Sequence, residues 1–148
     1  MVRGFCVLFT CFMFLGHSDG RLEKISYDGA GFAEFSWTRD AGGTQRSLRV
    51  LVAGEIDNAR KIVYIFHGYK PQGDPYRQDP ANFIKSWDLV KLSREKNILF
   101  VLPDLGDSVY PLSRKDHPLS DLAMMVSLHG HLVSSCKTDV QFVSAGFS

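Results

Sequence analysis

Ile62-Val-Tyr-Ile-Phe66 and Ile98-Leu-Phe-Val-Leu102 are short apolar runs in which polar and apolar residues do not alternate. A strand wetted on one face alternates; a strand buried on both does not, and that is the habit of parallel sheets covered by helices. Val140-Gln-Phe-Val143 is a third short strand. The intervals between them read as helices. Asp79-Pro80 offers an N-cap with proline at the first helical position. Phe83, Ile84, Trp87 and Val90 then recur at helical spacing, leaving Lys85, Lys91, Arg94 and Glu95 mostly outside. A second helix is expected from near Pro118, with Leu122, Met125, Val126, Leu132 and Val133 on one stripe. Upstream, Phe32 to Trp37 places Ala33, Phe35 and Trp37 on one face. Asp40-Ala-Gly-Gly43 turns the chain, and Arg46 to Val52 points Leu48, Val50 and Val52 inward. The expected order is a β-hairpin followed by βαβαβ. This is an α/β fold in which right-handed crossovers build a parallel sheet with helices on it. Its last strand would present an open apolar edge.

The composition, 45% hydrophobic and 22% charged over 148 residues, is that of one folded domain and excludes a disordered or collagenous chain. A net charge of +1 gives no global field for nucleic acid. Met1 to Gly4 carries one positive charge, Phe5 to Leu15 has Thr10 as its only polar side chain, and Gly16-His-Ser18 is an exit of small residues. That is the pattern of a secretory signal over residues 1–18, so the protein is expected to be exported, secreted or periplasmic. As a helix the apolar run would reach about 16 Å, roughly half a hydrocarbon core, so no stable membrane span is expected. Cleavage would equalise basic and acidic residues. It would leave Cys136 as the only cysteine of the 19–148 domain, where it reads as a small, buried, apolar-like side chain.

Three short pieces follow the strands in order. His67-Gly68-Tyr69 stands directly after Phe66, Pro103-Asp104-Leu-Gly106-Asp107-Ser108 closes the next strand, and the third strand runs on through Ser144-Ala-Gly146-Phe147-Ser148. Each has a bland reading: a tight turn, an Asp-rich turn, and a Gly-x-Ser that arises by chance. The two carboxylates of the second piece also raise metal or glycosidase chemistry, but turn geometry accounts for them more simply. In this order, the three resemble the N-terminal half of the α/β-hydrolase superfamily, over roughly Phe32 to Ser148, ending at the nucleophile elbow Gly-x-Ser-x-Gly. Gly146 and Ser148 match the elbow; the second glycine would fall beyond the sequence.

The resemblance implies a serine hydrolase acting on a small ester or acyl substrate, less readily an amide, with no cofactor. Ser148 would be the nucleophile. The backbone N–H of Tyr69, or of Lys70, would bind the developing oxyanion, and His67, Gly68 and Gly146 would shape the two turns. The family's catalytic order is Ser, then Asp or Glu, then His. His17, His67, His117, His129 and His131 all precede Ser148, so none fits the general-base position. A serine without a base is a weak nucleophile. The 148 residues alone are therefore expected to be inactive, as a fragment of an exported hydrolase. The alternative is a non-catalytic secreted remnant or binding protein on a hydrolase-like half-fold.

The remaining signals point to structure. His129 falls on the apolar stripe and reads as a packed, hydrogen-bonded core residue. His131, two residues on, would face elsewhere, so the two do not form a metal pair. His117 reads as a helix-start residue. Tyr76 and Arg77 read as solvated loop, or as a pocket rim if the resemblance holds. No metal-ligand spacing and no phosphate-binding glycine loop is present.

Overall fold

The computed structural model describes residues 20–27, 31–66, 79–105, 119–136 and 141–146. Their chain order is β1 (Gly20–Tyr27), β2 (Phe32–Ala41), β3 (Thr44–Ala53), β4 (Lys61–Phe66), α1 (Pro80–Ser86), α2 (Leu89–Lys96), β5 (Ile98–Asp104), α3 (Asp121–Ser135) and β6 (Gln141–Gly146). The strands form one six-stranded sheet in the order β1-β2-β3-β5-β4-β6. The fold is mixed α/β. The β1–β2, β2–β3 and β3–β5 pairings are antiparallel, whereas β4 pairs parallel with β5 and with β6.

The hairpin forms where the sequence places it. Gly42 and Gly43 take positive φ in the turn, and the register runs from Ala41↔Thr44 to Phe32↔Ala53. Trp37, Leu48, Val50 and Val52 are buried on one face, as expected. Leu51 and Ala53 are buried too, because α1 and α2 cover the opposite face of the sheet. The hairpin belongs to the same sheet as the parallel strands, so the sheet is mixed where a parallel one was expected. Strand β1 was not foreseen. Its Gly-Arg-Leu-Glu-Lys-Ile-Ser-Tyr run is mostly exposed, with Leu22 packed against the core, so burial impresses little pattern on it.

Two helical readings need correction. The single helix expected from Asp79 breaks into α1 and α2 at Trp87-Asp88, where Asp88 takes a left-handed backbone with φ of 49°. The break turns Trp87 outward, 53% exposed, while Ile84 and Leu89 are buried. In α3 the inward stripe is Asp121, Met124, Leu128 and Leu132; of the expected stripe Leu132 is buried, Leu122 and Met125 are half-buried, and Val126 and Val133 are exposed. Both stripes fit helical spacing. The choice between them is made by the clamp at the helix start. Arg46 donates to the Leu119 carbonyl at 2.6 Å and to the Asp121 carboxylate, which rotates Asp121 toward the sheet.

Two cores result. Trp37, Val50, Ile62, Tyr64, Leu99 and Val101 meet Met124, Leu128 and Leu132 of α3 on one side. Phe32, Leu51, Ile65, Phe100 and Leu102 meet Ile84 and Leu89 on the other. The crossover from β4 to β5 therefore runs over one face. The crossover from β5 to β6 runs over the other and passes β4 to reach its far side. β6 lies at the edge of the sheet, with Val143 41% exposed.

Candidate functional site

A sheet wound in both directions leaves a crevice at the carboxyl ends of the strands where the winding reverses, because the chain leaves neighbouring strands toward opposite faces. Here that point lies between β4 and β6. Their parallel register runs from Lys61↔Gln141 to Phe66↔Gly146, so both strands end level with each other at the same end of the sheet. The chain leaves β4 into His67-Gly68 and leaves β6 into Phe147-Ser148. Of the residues singled out from sequence, Gly146 is placed, as the last residue of β6. His67, Gly68, Tyr69, Lys70 and Ser148 lie outside the described residues, as do Tyr76, Arg77, Asp107, His117 and the leader.

A charged cluster stands beside this end, and the sequence reading missed it. Arg49 on β3 pairs in register with Asp104, the last residue of β5. Its guanidinium lies 3.0 Å from Glu34, and 3.5 Å from both Asp79 and Asp104. The hydrogen bond to Glu34 is the strongest of several influences holding the guanidinium charged; partial burial opposes it, and the charges of Asp79, Glu34 and Asp104 add to it. Asp79 has a second role. Its other carboxylate oxygen accepts from the Ala81 N–H at 2.8 Å, capping α1. One arginine thus joins β2, β3, the end of β5 and the start of α1. The available signal was an arginine next to the apolar half of β3, with Glu34 diagonal to it across the hairpin. Asp104, expected as a turn residue, is the end of a strand and a partner of Arg49. The described residues contain no group of three or more His, Cys, Asp or Glu able to hold a metal ion.

The described histidines sit between α3 and the sheet. His129 Nδ1 lies 2.9 Å from the Tyr64 hydroxyl, with the rings edge to face, and this bears out its reading as a packed, hydrogen-bonded residue. His131 packs on the Trp37 indole with ring centroids 5.1 Å apart. Burial lowers both histidines below their ordinary range and raises Tyr64 well above its own, so the imidazoles are neutral and the phenol keeps its proton. Cys136 donates to the Ile56 and Leu132 carbonyls, each at 3.2 Å. Burial, assisted by Asp57, pushes its thiol up. A protonated, half-buried thiol is a poor nucleophile, which fits a packing role.

No helix among the described residues is long and apolar enough to cross a membrane. Comparison with protein-family models returns no match, and neither curated proteins nor solved structures yield a significant one. A functional reading therefore rests on motif order and on the strands that precede those motifs.

Proposed function

We propose that this chain is the N-terminal half of an exported serine hydrolase of the α/β-hydrolase type, cleaving a small ester or acyl substrate through Ser148. One observation carries the reading. In sequence, His67-Gly68 and Phe147-Ser148 directly follow adjacent parallel strands that end level at Phe66↔Gly146, where the strand order reverses. Strand ends at a switch point are where a fold can aim backbone N–H groups and a nucleophile at one carbonyl. Attack by the Ser148 hydroxyl on the substrate carbonyl would give a tetrahedral oxyanion. The N–H of Tyr69 or Lys70, with that of the residue following the serine, would receive its charge. Collapse would expel the alcohol and leave an acyl-serine, which water then hydrolyses.

The proton from Ser148 needs an imidazole, and the family keeps it, with its carboxylate partner, downstream of the serine. His129 and His131 are engaged with Tyr64 and Trp37. Activity accordingly belongs to a polypeptide that supplies the later residues. Fluorophosphonate labelling of such a full-length product, followed by peptide mapping, tests the proposal. Label at Ser148, lost in Ser148→Ala, supports it; a well-folded product without label there refutes it.

The same engagement of the histidines favours a second reading for the 148 residues by themselves: a non-catalytic secreted remnant or binding protein. A monodisperse, cooperatively unfolding 19–148 chain would support a purposeful short module. Aggregation through the β6 edge would point back to a hydrolase half.

A further inference from the structure

We propose that the outer face of α1 and α2 is a docking surface for an anionic lipid bilayer, on which the folded chain lies without spanning it. The break between the two helices makes this surface. Asp88 takes a left-handed backbone there, a conformation that costs a residue other than glycine energy and persists where its surroundings fix it. The result is an indole in solvent. Trp87 is 53% exposed, with the half-buried Phe83 ring 5.9 Å away between centroids. On α2, Leu92 is 38% exposed. Tryptophan has an apolar body that gains from burial and an N–H that needs a polar neighbour, and a membrane–water interface serves both ends.

Cations outnumber carboxylates on the same two helices. Lys85, Lys91, Arg94 and Lys96 are exposed, against Asp88 and Glu95. Lys85 reaches over the Phe32 ring at 5.8 Å, and the Arg94 guanidinium lies against Gly31, where a Cβ would come within 2.8 Å of it. Both therefore converge on the start of β2, and Lys91 stands one turn before Arg94 on α2. Lys91, Arg94 and Lys96 make no ion pair among the described residues. Helix ends draw cations, which accounts for Lys85, Arg94 and Lys96 one at a time. It accounts neither for Lys91 nor for an exposed indole among them. Cations without partners beside aromatic and aliphatic side chains complement a bilayer, whose headgroups are anionic and whose interior is apolar. A polyanion without apolar character would leave Trp87 and Leu92 wet, and an apolar protein partner would bury the cations at a cost. Residues 19–148 carry equal numbers of basic and acidic side chains, so the attraction is local to such a face and not a property of the whole chain.

Vesicles of phosphatidylcholine with an equal share of phosphatidylglycerol should sediment the 148-residue chain, and vesicles of phosphatidylcholine alone should do so far less. Added salt should weaken the first interaction. The apolar run from Phe5 to Leu15 also meets lipid, but it is common to every variant, so differences between variants report the helical face. A cation near an anionic surface is worth about fivefold in partitioning, so Lys91→Gln/Arg94→Gln should weaken binding to the mixed vesicles about twenty-fivefold. Trp87→Gln should abolish the blue shift of emission that accompanies docking, since the other tryptophan, Trp37, is fully buried. The substituted positions are exposed, so circular dichroism and urea midpoints should match the wild type. The proposal is overturned if the two kinds of vesicle bind alike or if the variants bind as the wild type does. It is overturned equally if heparin binds and vesicles do not, which assigns the face to an anionic polysaccharide. Should a variant fail to fold, quenching of wild-type emission by lipids brominated on their acyl chains decides: quenching upholds the proposal, and its absence ends it. Vesicle binding does not depend on Ser148 chemistry, so the two proposals fail separately.

Discussion

Gly54 shows how much of this fold turns on single atoms. Its φ of +115° is one that side chains rarely adopt, and a Cβ there would run into Ser93 Oγ and lie 2.8 Å from the Ile98 carbonyl oxygen. It lets β3 leave the sheet directly beneath the junction of α2 and β5. Gly54→Ala should destabilise the protein by about 2 kcal/mol, from backbone strain and a forced shift of neighbours, read as a lower midpoint of urea unfolding. Leu128 is fully buried between α3 and the sheet. Leu128→Ala should cost about 2–5 kcal/mol through lost burial and the cavity left behind, measured in the same way. These buried positions were legible in part. Trp37, Leu48, Val50 and Val52 declared themselves by alternation, because one strand face alone was enough to bury them. Leu128 and Met124 did not. The expected stripe shares Leu132 with the observed one and is the more apolar on paper, because the observed one turns Asp121 inward against Arg46, which is distant in sequence.

The elements are pinned by polar groups at their ends as much as by apolar faces. Asp79 caps α1, as its place before Pro80 led one to expect. Asp79→Ala should cost about 1 kcal/mol through the lost cap. Ser120 caps α3, and the Arg46 clamp fixes its rotation. Arg46→Met would leave the Asp121 carboxylate buried without its cation. A loss of about 1–3 kcal/mol is expected, tempered by the partial exposure of Arg46, and partly recovered in the Arg46→Met/Asp121→Asn double variant by chemical denaturation. Helix periodicity was readable, but the α1–α2 break was not. It is set by a left-handed Asp88, and no glycine or proline marks it. β1 escaped detection for a related reason: an edge strand held mainly by backbone pairing to β2 needs little apolar pattern.

At the scale of the whole molecule, the alternation of short apolar strands with helices was sufficient for an α/β class. It was not sufficient for strand order, since burial on both faces does not say which neighbours do the burying. The structure supplies that order, and with it a reversal of winding between β4 and β6. The strands that precede the His-Gly and Gly-x-Ser pieces in sequence, β4 and β6, lie side by side and end level at Phe66↔Gly146. Arg49 and its three carboxylates tie α1 to the middle of β3 and to the end of β5. The two sides of the sheet differ in their chemistry. The α1–α2 side carries the Arg49 cluster, whereas the α3 side carries two histidines, a tyrosine and a cysteine.

The proposed Ser148 chemistry is tested most directly by treating the folded full-length product with a fluorophosphonate probe and mapping the modified residue. The account predicts a single adduct on Ser148, absent from Ser148→Ala and suppressed by prior incubation with an ester substrate. A folded product whose Ser148 stays unmodified, or whose label falls on another serine, would contradict it.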